Sequence, residues 1–302
     1  MKLPRPGFRV ALLATAASLL TIWVTRRPSN DREWIPEQAV LPSVRLEGPI
    51  VHLSGVRNFA YTGPDRFTPS YVERRYDLDQ LTDLWFVLTP FAKSWRGPAH
   101  SFLTFGFADS QFVAISVEAR KEPGETYNPL WGMLRRYELM YVIGDERDLI
   151  GQRAAFQRYP VYLYPVKAPR EQIRALFVAM LERAEGLRHR PEFYHTLTSN
   201  CTSNIVDQVN RIVPDAIPAS WKTVFPGDID EVGVRLGLID TKLPVEAARE
   251  RYRINDVARR FIDDPAFSLR IRRQGESSAI GSRQAVSPQL PARPASRPPH
   301  AP

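Results

Sequence analysis

Apolar positions along the chain change period several times, and each change predicts an element. Between Pro169 and Arg190, Ile173, Leu176, Phe177, Met180, Leu181, Ala184 and Leu187 recur at three- and four-residue intervals, the spacing of one helical face. Pro169 suits the first turn of that helix, where a backbone N–H would have no partner anyway. A second amphipathic run, Ile205, Val206, Val209, Ile212 and Val213, predicts a helix from about Cys201 to Val213, with Ser199 or Asn200 as its N-cap. Residues 228–238 and 243–263 read as further helices. Elsewhere the period falls toward two. His100–Phe107 (HSFLTFGF) and Phe112–Glu118 (FVAISVE) are dense in aromatic and β-branched residues and flank Ala108-Asp109-Ser110-Gln111, so they predict an antiparallel hairpin. Tyr137–Ile143 and Val161–Val166 add two strands. Arg74–Leu84 reads as a short helix, with Leu78, Leu81 and Leu84 behind a capping Asp77 or Asp79, and Trp85–Leu88 as a brief apolar run. These elements predict an α+β fold, a small antiparallel sheet packed against helices.

Prolines and basic residues mark the ends. Residues 28–70 are interrupted by Pro28, Pro36, Pro42, Pro49, Pro64 and Pro69 and read as an extended strap, with Ile50–Leu53 at most an edge strand. The globular domain is expected over 71–267. Residues 268–302, with six prolines after position 287, read as a disordered tail. At the other end, Val10–Thr25 is sixteen residues without a charge, preceded by Lys2, Arg5 and Arg9 and followed by Arg26-Arg27. This is the pattern of an export signal, and no small-x-small cleavage site follows it. Residues 1–27 are therefore read as an uncleaved signal anchor, a single transmembrane helix with the remainder exported. A helix of that length spans about 24 Å, a little short of the roughly 30 Å hydrocarbon core.

Charge removes one function class. The chain of 302 residues carries 41 Lys and Arg against 33 Asp and Glu, a net +8. Residues 1–27 hold +5 and 268–302 another +5, which leaves 28–267 at −2. The basicity belongs to the termini, so the folded part has no net positive field for a phosphate backbone, and nucleic-acid binding is not expected. No HExxH, cysteine pair, Asp-rich calcium loop, GxGxxG or P-loop is present, so neither a metal site nor a cofactor is expected.

Candidate chemistry starts at the single cysteine. Cys201 lies in a polar run, Leu197-Thr198-Ser199-Asn200-Cys201-Thr202-Ser203-Asn204, where a core thiol would have apolar neighbours. The first turn of the predicted helix would favour its thiolate and supply N–H groups for an oxyanion. Asn200 and Ser101 are the candidates for oxyanion and substrate binding. A thiol nucleophile needs a base. Of five histidines, His300 is in the tail, His189 ends a charged helix, His52 is in the strap, and His195 is six residues before Cys201 on a short loop. His100, opening a strand after Gly97-Pro98-Ala99, is the candidate. Pairing Phe107 with Phe112 sets His100 against Ala119; a one-residue change of register sets it against Glu118, the candidate orienter. The alternatives for Glu118 are a partner for Arg120 or Arg135. Asp145, Glu146 and Asp148 form a second acidic cluster or a strand-end turn.

The segments AHSFLTFGF, FVAISVEARKEPGETYNPLWGMLRRYELMYVIGDERDLI, VYLYP and PEFYHTLTSNCTSNI closely resemble the bacterial Lnb-type N-terminal periplasmic domain found in a lipoprotein N-acyltransferase family, over residues of about 30 to 240. The resemblance implies a permuted papain-like thiol fold, the histidine strand preceding the cysteine helix, and a Cys–His transacylase acting on membrane lipid and lipoprotein. Two departures stand out. The family's acyltransferases carry further transmembrane helices after this domain, and His195 stands where Asn is expected in a Phe-Tyr-Asn run. The expected protein is thus anchored in the bacterial inner membrane with its domain in the periplasm. It would move an acyl chain from a phospholipid, through a Cys201 thioester, to a lipoprotein or peptide amine. A thiol amidase acting on cell-wall peptide and a non-catalytic anchored binding module are the alternatives.

Overall fold

A computed structural model of the chain describes residues 14–15, 18, 21, 24–91, 97–220, 222 and 226–273. Most of the expected anchor and the tail from 274 onward lie outside the described residues. Among those described, no helix is long and apolar enough to cross a membrane.

Ten strands are described: β1 (Ser43–Glu47), β2 (Ile50–Arg57), β3 (Ala60–Gly63), β4 (Arg66–Thr68), β5 (Tyr71–Asp77), β6 (Leu81–Pro90), β7 (Ala99–Phe107), β8 (Phe112–Arg120), β9 (Glu138–Gly144) and β10 (Tyr162–Pro165). The main sheet runs β1-β2-β9-β8-β7-β6-β10, with β5 also paired to β2, while β3 and β4 form a separate hairpin. The helices are α1 (Pro129–Met133), α2 (Glu146–Gly151), α3 (Arg170–His189), α4 (Cys201–Ile212), α5 (Ile229–Arg235), α6 (Val245–Tyr252), α7 (Asn255–Arg260) and α8 (Phe267–Arg270). One turn of π-helix, Gln152–Phe156, continues α2.

The sheet is covered on both faces, which is why β7 and β8 read as nearly unbroken apolar runs. Leu103, Phe105, Phe107, Ile115 and Val117 face α3 and α4, where Phe105 stacks at a tilt on Phe177 with centroids 4.8 Å apart. Burying a Phe of this kind contributes about 1.5–3 kcal/mol. Phe102, Ala114, Met140 and Val142 face the other layer, built on Leu149, Ile150, Ile254 and Phe267. The α3 periodicity reads through directly: all seven of its predicted apolar positions are buried.

Four expectations need correction. The stretch 28–70 is not an irregular strap: it carries β1 to β4, and β2 is interior, paired with β1 and β5 and touching β9 in parallel at Arg57–Gly144. Its prolines fall outside the paired positions, where a missing N–H breaks no ladder. Gly144 permits the parallel contact, because a Cβ there would lie 3.1 Å from the Arg57 carbonyl oxygen. Residues 74–84 are not a helix but the end of β5, a single 3-10 turn capped by Asp77, and the start of β6. Nine pairings of β6 with β7 outweigh the local helical spacing of three leucines. The predicted 243–263 helix is two, α6 and α7, broken at Arg253. The folded part also extends past 267: Ile271 is buried, and the Arg272 guanidinium grips the buried Glu146 carboxylate with bonds of 2.6 and 2.8 Å.

Candidate functional site

The hairpin turn decides the geometry. Phe107 N–H donates to the Gln111 carbonyl (3.0 Å), Ser110 takes a left-handed φ of 65°, and the loop shortens to three residues. The register is therefore Gly106 with Phe112 and Phe102 with Ser116, the one-residue alternative to the simplest fold-over. Extended two residues, it sets His100 opposite Glu118.

The β7–β8 ladder stops at Phe102–Ser116, while β8 stays paired with β9 as far as Arg120. In β7 the odd-numbered residues turn their N–H and C=O toward β8, as Phe107 shows. Beyond the last pair, Ala99 and Ser101 present these groups to an open gap. The N-terminus of α4 fills it. Cys201 Sγ lies 4.0 Å from the Ala99 carbonyl oxygen and 3.9 Å from Thr202 Oγ1, and the Ser101 backbone amide hydrogen-bonds the sulfur. Ser101 Oγ and Thr202 Oγ1, 2.8 Å apart, lock the strand to the helix.

Across the gap stands an ordered chain of polar groups. His100 Nε2 donates to Ser116 Oγ (2.7 Å), and Ser116 Oγ donates to Glu118 Oε1 (2.8 Å). His100 Nε2 is itself 3.2 Å from Glu118 Oε1, and Arg153, in the π turn, donates to the same oxygen at 2.9 Å. The ring also shares a side-chain hydrogen bond with the Cys201 sulfur. Along the line, groups that ionise to anions alternate with groups that ionise to cations: thiol, imidazole, carboxylate, guanidinium.

The pKa values follow. Burial pulls His100 down, but the Glu118 carboxylate and the Cys201 sulfur pull it up further, to about 9. Burial pushes the Cys201 thiol up, yet the His100 hydrogen bond and charge, the Ser101 amide and the Thr202 hydroxyl bring it below its ordinary value. Burial also raises Glu118, but His100, Arg153 and Ser116 hold it well below the usual carboxylate range. All three shifts favour the ion-paired state.

The structure thus brings Cys201, His100 and Glu118 together. Ser101 is fully buried beneath the helix start, with its hydroxyl committed to Thr202. Asn200 is the N-cap: its Oδ1 accepts from the Thr202 and Ser203 amides (2.9 and 2.8 Å), and its Nδ2 donates to the Thr196 carbonyl (2.8 Å). Its side chain secures the helix start and is not aimed at an oxyanion. His195 forms the turn before the cysteine, its Nδ1 accepting from the Leu197 and Thr198 amides. The Asp145 cluster is structural: Asp145 caps α2, Glu146 holds Arg272, and Asp148 holds Arg57. Arg120 stacks on Trp34 instead of pairing with Glu118.

Three members of the site escaped the sequence reading. Ser116 and Glu118 are spaced two apart in an otherwise apolar strand, which signals one polar spot on one face, and Ser116 is legible in hindsight. Arg153 has no local signal. Tyr194, 7% exposed, lies within electrostatic reach of Cys201: burial and then the negative sulfur push its pKa up.

An apolar cavity of about 170 Å³ opens beside Thr202, lined among others by Leu103, Ile173, Leu176, Ile205 and Val209. A cavity of about 150 Å³ holds a benzene, so this one takes a short hydrocarbon segment.

Compared with known proteins, the sequence model described as the Lnb N-terminal periplasmic domain matches residues 67–227, which contain every site residue named above. No curated protein and no solved structure matched.

Proposed function

We infer that this chain, which belongs to the Lnb N-terminal periplasmic domain family, is a cysteine-dependent acyltransferase that moves an acyl chain from a phospholipid to an amine. The observation that carries this reading is the convergence of Cys201, at the start of α4, with His100 of β7 and the Ser116, Glu118 and Arg153 side chains hydrogen-bonded behind it; the opposed pKa shifts of the thiol and the ring agree with it. A structural thiol in an apolar core would be pushed the other way. The order of strand and helix, histidine first, supports a permuted papain-like arrangement.

The Cys201 thiolate attacks the ester carbonyl. A C–S bond forms, and the carbonyl oxygen takes the negative charge beside the α4 dipole. Asn200 caps the Thr202 and Ser203 amides, so the Cys201 amide is the first-turn donor assigned to that oxyanion. Collapse breaks the C–O bond, and the His100 imidazolium gives its proton to the departing alkoxide. An amine then attacks the thioester, a C–N bond forms and the C–S bond breaks. His100 takes the amine proton, and the thiolate is restored. The 170 Å³ cavity beside Thr202 would take part of the acyl chain.

Glu118 positions the imidazole and sustains its charge. Glu118→Gln is expected to lower the rate by about 10²-fold. It should also move the alkaline limb of the pH–rate profile from about 9 toward the ordinary histidine value near 6.5. The sign follows from the mechanism: His100 must carry a proton to protonate the leaving group, so activity falls as pH rises through its pKa. An alkaline limb that stays at about 9 would remove Glu118 from this role.

Intact-mass analysis of the full-length protein incubated with phosphatidylethanolamine micelles tests the reading. An acyl adduct mapped to Cys201, discharged by a peptide amine, is expected. Absence of the adduct together with release of fragments from cell-wall peptide would replace acyl transfer by amidase chemistry.

A further inference from the structure

Most exposed large apolar side chains on a protein surface are scattered, but here several converge. Helix α1 presents Leu130 (64% exposed) and Trp131 (54%), and Leu134 (52%) follows it. The loop carrying Leu197 (40%) is tied to this helix by Thr196 Oγ1, which donates to the Pro129 carbonyl at 2.7 Å. Gly132 packs so closely on Thr196 that a Cβ would lie 2.3 Å from its hydroxyl. The link brings the exposed apolar side chains of α1 and of the 196–198 loop to one side of the molecule, the kind of clustering that marks an interaction surface.

Cations border it. Arg26, Arg27 and Arg135 line a hollow together with Phe193, His195, Thr198 and Ser199. The Arg26 and Arg135 guanidinium groups lie 6.0 and 5.9 Å from the Phe193 ring, and Arg26 donates to the Arg136 carbonyl at 3.1 Å. Among the described residues that line the hollow the carboxylate is Glu192, held by Arg183 with bonds of 2.7 and 2.6 Å, while Glu138 and Glu122 act on Arg26 from outside it. Val24, the end of the apolar Val10–Thr25 run, lies at the same hollow.

We propose that this face seats on an anionic phospholipid bilayer, with Leu130, Trp131, Leu134 and Leu197 at the acyl boundary and Arg26, Arg27 and Arg135 on lipid phosphates. Charge complementarity and continuity with the apolar run both select a bilayer over a protein partner. Tryptophan and leucine beside arginine are the composition that settles at the interface, and each such basic side chain adds about 1 kcal/mol of attraction to anionic lipid. Beside the apolar run Val10–Thr25, this patch would fix the orientation of the domain as well as its proximity to lipid. The hollow ends at Thr198 and Ser199, next to the cap of α4, so seating turns the start of that helix toward lipid. The docking claim does not require acyl transfer, and its test reads no activity.

The test uses full-length protein in which Cys201→Ser removes the native thiol. Trp131→Cys and, separately, Leu134→Cys carry a nitrobenzoxadiazole label; Asp256→Cys on α7, in the opposite layer, is the comparison. After reconstitution into phosphatidylcholine–phosphatidylglycerol vesicles containing lipids spin-labelled near the headgroup, labels at 131 and 134 should be blue-shifted. They should also be quenched at least about threefold more than the label at 256. Changing Arg26, Arg27 and Arg135 together to Glu should abolish that difference. Labels at 131 and 134 as water-exposed and unquenched as the one at 256 would overturn the proposal, whatever the enzyme's activity.

Discussion

Cys201→Ser is expected to lower acyl transfer by roughly 10⁴-fold or more while leaving the unfolding midpoint close to that of the parent. The loss is large because His100 is tuned to stabilise a thiolate. A serine hydroxyl, whose pKa lies far above that of a thiol, does not ionise beside the ring, so no anionic nucleophile stands ready at neutral pH. The fold is spared because the change removes little volume from the core cluster that Cys201 joins, and two of the sulfur's contacts, the Ala99 carbonyl at 4.0 Å and the Thr202 hydroxyl at 3.9 Å, suit an O–H as well as an S–H. Acyl transfer from phospholipid to a peptide amine, read by mass spectrometry beside urea unfolding of the same samples, checks both halves. A serine variant retaining more than about a tenth of the parent rate would remove Cys201 from covalent catalysis. A phenotype untouched by the substitution is what the binding-module alternative requires.

Asp148→Ala is expected to destabilise the fold by about 3–5 kcal/mol, the usual cost of stranding a buried charge. Asp148 is fully buried. Its carboxylate receives the Arg57 guanidinium through bonds of 3.0 and 2.8 Å and the Phe59 amide at 2.8 Å. These bonds join α2 to β2, the interior strand of the segment that looked like a strap. Removing the carboxylate leaves Arg57, 5% exposed, charged and without its acidic partner in the core. Replacing both partners by apolar residues, Arg57→Met with Asp148→Leu, should recover much of the loss, because no unpaired charge remains. Urea unfolding monitored by tryptophan fluorescence checks the pair. A single-variant shift under about 1 kcal/mol would show that the ion pair does not tie these elements together.

The elements that read directly from sequence are those whose pattern is local. Helix α3 announces itself by seven periodic apolar residues, and α4 by its cap and amphipathic face. The β7–β8 hairpin is legible from two aromatic runs around a short turn. Residues 28–70 were opaque because the β1–β2 hairpin turns at Gly48-Pro49, and prolines at its turns look the same as prolines in a linker, while β5 and β9, which also hold β2, come from outside the stretch. Residues 74–84 misled for the opposite reason: three leucines at helical spacing sit in a turn and a strand that β7 claims. At the site, Cys201 and His100 could be picked by chemistry alone, and Glu118 by counting register. Asn200 shows the limit of that reasoning. Its position before the cysteine suits either a cap or an oxyanion donor, and only the observed bonds to Thr202, Ser203 and Thr196 distinguish them. Arg153 is brought to Glu118 by a π turn that leaves no trace in composition.

The proposed mechanism depends on the pairing of Cys201 with His100, and the lone thiol gives that pairing a clean readout. Alkylation of full-length protein by iodoacetamide, read by peptide mass spectrometry at Cys201, follows that one thiol across the pH range. The parent should show reactivity rising at a pH below the ordinary thiol range, with a second inflection near pH 9 as His100 loses its proton. In His100→Asn the first midpoint should move up, and the rate at neutral pH should fall by about tenfold or more. Superimposable profiles for parent and variant, with a midpoint at or above that of a free cysteine, would contradict the pairing and the mechanism built on it.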